Sequence, residues 1–176
     1  MRGEAIQTAR TGPESRGNHA SYGLYTPEER RRRDESVWTL IQGLLAPLQF
    51  LVFLGSLFLV LRFLATGAGE GLADLSVVAK TLVLYTIMIT GSIWEKVVFG
   101  KWLFARPFFW EDVFSMLVLA LHTAYLVMLF GQFGTTEQRM LVALAAYATY
   151  LVNAAQFLLK LRAARLQAAQ PIAVSG

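Results

Sequence analysis

Three acidic side chains, Glu95, Glu111 and Asp112, stand among Trp94, Pro107, Phe108, Phe109 and Trp110, and here the sequence offers proton chemistry. A carboxylic acid partly withdrawn from water keeps its proton closer to neutrality and can deliver it, which is what general acid catalysis requires. The same residues also fit a routine headgroup anchor, because tryptophans and charges are ordinary at a membrane surface. His122 follows Glu111 by eleven residues, almost three helical turns, so Glu111, Ser115 and His122 share one stripe with His122 roughly 16 Å deeper. An imidazole at that depth is costly in lipid and is a functional candidate by default, as an axial ligand to a tetrapyrrole metal or as a hydrogen-bonding group across a bundle. The separation excludes direct contact between Glu111 and His122 within one straight helix.

Further polar residues recur at helical spacing. Gln42, Gln49 and Ser56 follow one another in steps of seven beside Pro47, and Asn153 and Gln156 follow Tyr147 and Tyr150 by about a turn. Such groups need partners away from lipid. They serve either as interhelical glue or, in the sharper reading, as the lining of a ligand cavity formed by Gln49, Tyr150, Asn153 and Gln156. Gly91 and Ser92 are small enough to let helices approach closely. Soluble-enzyme motifs are missing: the sequence has no phosphate-gripping glycine loop, nucleophile elbow or His-Glu-x-x-His site, and two histidines without cysteine leave little scope for a protein-built zinc or redox centre.

The elements that must position these groups are membrane helices. The 176 residues are 55% hydrophobic and only 16% charged, with mean hydropathy +0.47, unlike a soluble domain. Uncharged runs cover Val37–Leu61, Val113–Thr136 and Met140–Leu159, each long enough to cross about 30 Å of hydrocarbon. A fourth, less tidy span covers Leu75–Trp94, with Lys80 near one end and Glu95 and Lys96 at the other; a window over Thr81–Leu103 would enclose that pair. The expected fold is an all-α integral membrane protein with four transmembrane helices.

Arg30 to Arg33, Lys96, Lys101, Arg106, Lys160, Arg162 and Arg165 flank one side, against Arg62, Lys80 and Arg139 on the other. Ten basic residues against three place both termini in the cytoplasm. This asymmetry accounts for the net charge of +4 without a nucleic-acid partner, and the absence of cysteine excludes a disulfide-stapled secreted domain. Residues 1–24 are expected to form a disordered cytosolic arm, in which His19 has no role, 25–166 the membrane domain and 167–176 a flexible tail. The first 36 residues contain no apolar core resembling a signal peptide, so the first span is expected to be retained. Thr26-Pro27-Glu28-Glu29 has the capping-box spacing and predicts the start of a helix that enters the membrane; Thr135 and Gln138 repeat that spacing before span four.

Longer strings carry a resemblance. Leu24 through Trp38, Val78 through Thr86, Trp94 through Gly100, Phe108 through Val113 and Leu121 through Tyr125 resemble the 2-vinyl bacteriochlorophyllide hydratase family. So do Ala146 through Tyr150, Asn153, Gln156 and Lys160-Leu161-Arg162. The similarity runs over roughly residues 22–166. It implies hydration of the ring-A vinyl group (C3, older numbering 2) of a chlorin or bacteriochlorin to 1-hydroxyethyl, in bacteriochlorophyll a synthesis, within the inner or intracytoplasmic photosynthetic membrane of a bacterium. The implied partners are a magnesium-bearing macrocycle, membrane lipid and neighbouring pigment-biosynthesis enzymes, with no cofactor beyond the magnesium that the substrate carries. On this reading Glu111 or Glu95 is the acid, Asp112 orients water and His122 binds magnesium or holds the macrocycle. A non-catalytic pigment-binding or assembly protein of the same membrane is the alternative.

Overall fold

The computed structural model describes residues 24–169. The N-terminal arm with His19 and most of the C-terminal tail lie outside the described residues. Five α-helices follow in order: α1 (Pro27–Glu35), α2 (Val37–Thr66), α3 (Glu70–Phe99), α4 (Phe109–Phe130) and α5 (Thr136–Ala169), with a 3-10 turn at Arg106–Phe108 ahead of α4. The described residues contain no strand. In lipid an extended segment would leave backbone amides and carbonyls without partners, so the long apolar runs satisfy them internally as helices.

α2 to α5 are each long and apolar enough to cross a membrane, which makes this a multi-pass membrane protein. At 30 residues, α2 and α3 reach about 45 Å and project beyond a hydrocarbon core of about 30 Å. The outer faces remain apolar, with Leu40, Leu51, Phe58, Leu75, Leu82, Ile89 and Phe130 exposed. Polar stripes turn inward, the inverse of a soluble bundle. The interior packs Phe53, Val60, Val77, Val118, Tyr125, Met140 and Tyr147, and the small Ala73, Ala143 and Ala146 let the helices approach closely.

Capping chemistry sets the element ends. Thr26 and Glu29 form the expected capping box, Glu29 N donating to Thr26 Oγ1 at 3.3 Å and Thr26 N to Glu29 Oε2 at 2.8 Å. The helix begun there does not continue into the membrane. It stops at Glu35, because Ser36 is extended (φ −82°, ψ 127°) and caps α2 afresh by accepting from Trp38 N. α1 is therefore a separate charged helix, whose run of four arginines has no apolar face to bury.

Gly67 (φ +69°) ends α2 in the left-handed conformation that favours glycine, and Gly100 (φ +77°) does the same for α3. Thr135 and Gln138 form the second capping box, at 2.9 and 3.2 Å. The uncharged run from Val113 extends to Thr136, yet α4 ends at Phe130: absence of charge marks apolarity, whereas Gly131 and Gly134 set the turn.

Candidate active site

Three elements converge at the end of the bundle where α3 finishes and α4 begins. The turn after Gly100 brings the chain back so that consecutive amides face two carboxylates. Phe104 N donates to Asp112 Oδ2 at 2.7 Å, and Ala105 N donates to Glu95 Oε2 at 3.2 Å. Phe104 adopts φ +59°, unusual for a bulky residue, and this backbone strain lies in the bond that fixes Asp112. Glu95 and Asp112 are both buried, at 5% and 4% exposure, and close enough to interact directly. Asp112 also lies in the first turn of α4, where unpaired amides favour negative charge.

Aromatic rings cluster at the same end of the bundle. Tyr25 stacks on Phe99 at 5.8 Å, Trp94 meets Phe108 edge-on at 5.6 Å, and Phe108 stacks on Phe157 at 5.9 Å. Trp94 Nε1 donates to Thr39 Oγ1 at 2.9 Å, tying this layer to α2. Arg33 of α1 lies 4.6 Å over the Tyr25 ring, and burial pushes the Tyr25 hydroxyl up from its ordinary range, so it remains a neutral part of the cluster.

Glu111 is committed differently from its neighbour. It accepts from Lys160 Nζ at 2.6 Å, while the same ammonium bonds the Pro107 carbonyl and sits 5.0 Å over Phe108. Lys160, counted in the sequence as a flanking charge, is thus part of the site. Lys80 departs further from the sequence expectation. Instead of flanking the far side, it is fully buried within α3, with Nζ 4.1 Å over the Tyr150 ring. A lysine on a long flexible stem one-third of the way along a helix reaches the interior, not the nearer surface.

Below the mouth lies a second layer. Asn153 Nδ2 donates to Ser115 Oγ at 2.7 Å; Tyr147 and Ser76 both hydrogen-bond Ser56, at 2.6 and 2.7 Å. Gln42 donates to Thr90 Oγ1 at 2.7 Å, and Gly91 packs against the Gln42 side chain. Ser92 turns back to the Ile89 carbonyl. His122 is fully buried, and its Nδ1 lies 2.8 Å from the Val118 carbonyl. A carbonyl only accepts, so Nδ1 carries the proton and Nε2 presents a lone pair, which no group among the described residues engages.

The expected site residues therefore fall into two groups. Glu95 and Asp112 come together, with Glu111 beside them through Lys160. His122, Gln49, Tyr150 and Asn153 belong to the inner layer, joined there by Lys80; Gln156 stands between. The far end closes on a separate network, in which Tyr125 donates to Asp74 at 2.5 Å and Arg139 reaches Glu70 at 3.1 Å and Asp74 at 3.5 Å. Among the described residues no cluster of three or more His, Cys, Asp or Glu side chains could hold a metal ion. A groove of about 330 Å³ on the outer surface between α3 and α4 is lined by Tyr85, Met88, Ile89, Leu119 and Thr123, and Tyr85 and Thr123 hydrogen-bond at 2.8 Å there.

A four-helix membrane bundle with a buried carboxyl pair at one end and a polar interior below it defines a multi-pass membrane protein whose ionisable groups face inward, away from lipid. The chain belongs to the 2-vinyl bacteriochlorophyllide hydratase family, whose sequence profile matches residues 25–163. A 2-vinyl bacteriochlorophyllide hydratase of Rhodobacter capsulatus is 63% identical over 158 residues, 89% of this chain and 91% of the relative. One of Cereibacter sphaeroides is 65% identical over 144 residues, covering 81% and 89%. No solved structure matches the chain.

Proposed function

We propose that this chain adds water across the ring-A vinyl group of a bacteriochlorophyllide, giving the 1-hydroxyethyl derivative in bacteriochlorophyll synthesis. The observation that carries the reading is the Glu95–Asp112 pair, held on consecutive amides at the end of the bundle where aromatic rings cluster, in a chain whose named relatives are hydratases. Facing carboxyl groups out of water can hold one proton between them. Glu95 gives that proton to the terminal vinyl carbon, forming the C–H bond and leaving positive charge on the carbon attached to the macrocycle, whose π system spreads it. Water oriented by Asp112 attacks that carbon; the C–O bond forms as Asp112 takes the water's proton, and the pair again holds one. Glu111 is the other acid candidate, but Lys160 occupies its carboxylate, which favours Glu95.

His122 holds the macrocycle through the substrate's own magnesium, with the macrocycle standing steeply along the bundle so that its ring-A edge points toward the carboxyl pair. Its Nε2 lone pair is free, and donation of Nδ1 to a backbone carbonyl is the usual support for a ligating imidazole. The macrocycle comes sideways from lipid, along the groove between α3 and α4. Basic residues near the α1, α3–α4 and α5 ends of the chain support cytoplasmic termini in the bacterial inner or intracytoplasmic photosynthetic membrane. Neighbouring pigment enzymes would supply and remove the macrocycle there.

The test is to give membranes containing this chain, and matched membranes without it, a 3-vinyl bacteriochlorophyllide. Chain-dependent gain of one water in the product mass, with the spectral change of lost vinyl conjugation, is expected. Pigment bound and unchanged, where an active relative hydrates it, would instead establish a pigment-binding or assembly protein.

A further inference from the structure

Besides His122 Nε2, and Arg139 Nε at the far end, four buried polar atoms find no partner among the described residues: Lys80 Nζ, Gln49 Oε1, Asn153 Oδ1 and Gln156 Oε1. Lys80, Gln49 and Asn153 are each more than nine-tenths buried. They come from three helices and meet around one set of rings. Lys80 lies over Tyr150, Phe53 packs on Tyr150 at 5.0 Å, and Gln49 is one turn from Phe53 on α2. On α5 the stripe continues from Tyr150 through Asn153 and Gln156 to Lys160, a rise of about 15 Å that ends at Glu111, next to Asp112.

The chemistry of the set selects its occupant. An ammonium offers three donors and the three amide oxygens are acceptors, yet they do not bond one another. An anion would satisfy Lys80 and repel the oxygens. Water accepts from the first and donates to the others, and buried polar groups of this kind are ordinarily satisfied so. We infer that Lys80, Gln49, Asn153 and Gln156 form an intramembrane water-binding column that leads to the carboxyl pair and supplies the water consumed in hydration. The inference deepens the hydratase reading and rests on it for the fate of the water. It leaves His122 Nε2 to the magnesium.

The full chain in lipid nanodiscs is exposed to a short X-ray pulse, which makes hydroxyl radicals from water wherever it lies, and oxidation is read by mass spectrometry without pigment or turnover. Tyr150 and Phe53, buried beside the column, are expected to oxidise within about fivefold of exposed Trp110, while Tyr125, fully buried outside the column as Phe53 is within it, stays at background. Gln49→Leu with Asn153→Leu should return Tyr150 to background; should that variant fail to fold, the wild-type pattern alone decides. Tyr150 and Phe53 at the Tyr125 level would overturn the column even in a chain that hydrates the vinyl group. Strong labelling in a chain that forms no product would uphold the water site and remove the hydratase reading instead.

Discussion

Glu95 and Asp112 lie on different helices, yet they accept from neighbouring amides, those of Ala105 and Phe104. One short turn therefore sets the separation of both carboxyl groups. Seventeen positions apart in sequence, they become a pair only because Gly100 stops α3 and the 3-10 turn at Arg106–Phe108 restarts the chain as α4.

Lys160 ties α5 to this turn through Glu111 and the Pro107 carbonyl. Lys160→Met leaves the Glu111 carboxylate buried without its partner and is expected to lower stability by about 1–3 kcal/mol. Adding Glu111→Leu should recover most of the loss, since replacing both members of a buried pair is far less costly than removing one. Thermal unfolding in detergent of the single and double variants checks this, and a double variant no more stable than the single would contradict it.

Removal of the His122 imidazole takes away the Nε2 lone pair. His122→Ala is expected to weaken bacteriochlorophyllide binding at least about tenfold, the scale on which metal-site groups act. Titration of the magnesium pigment and of its magnesium-free form separates ligation from packing. Wild type should prefer the magnesium form and the variant should lose that preference; equal affinities in both proteins would make His122 a structural residue.

The far end should be separable from the chemistry. Tyr125→Phe deletes the donor to Asp74 and is expected to cost about 1–3 kcal/mol of stability, because Asp74 then relies on Arg139 alone. Its initial hydration rate, per folded molecule at a temperature where both proteins are folded, should match wild type. A large fall in rate would couple the two ends of the bundle.

Much of this was legible in the sequence, for identifiable reasons. Three crossings follow from uncharged run length and the fourth from an apolar span around Lys80, and both capping boxes follow from residue spacing, because each is local. The Glu111–Ser115–His122 stripe is likewise helical arithmetic, and all three residues are buried. Pairing across elements was not legible. Whether Glu95 meets Asp112 or Glu111 depends on the turn between α3 and α4, and Asp112 adjoins Glu111 in sequence while its oxygen faces another helix. Lys160 and Lys80 resemble flanking charges when counted by sign. Lys80 nonetheless carried a signal: a lysine inside an otherwise apolar span is costly unless it serves a buried purpose. Ser36 looked like part of a helix, because one serine reveals an N-cap only once Glu35 is known to end the preceding turn.

The most direct test of the carboxyl pair compares Glu95→Gln with Glu111→Gln in the hydration of a 3-vinyl bacteriochlorophyllide, with pigment binding measured alongside. Glu95→Gln is expected to lower the rate about a hundredfold or more while pigment still binds, whereas Glu111→Gln retains the larger share of activity. Full activity in Glu95→Gln, or its loss only in Glu111→Gln, would contradict the assignment of the proton to the Glu95–Asp112 pair.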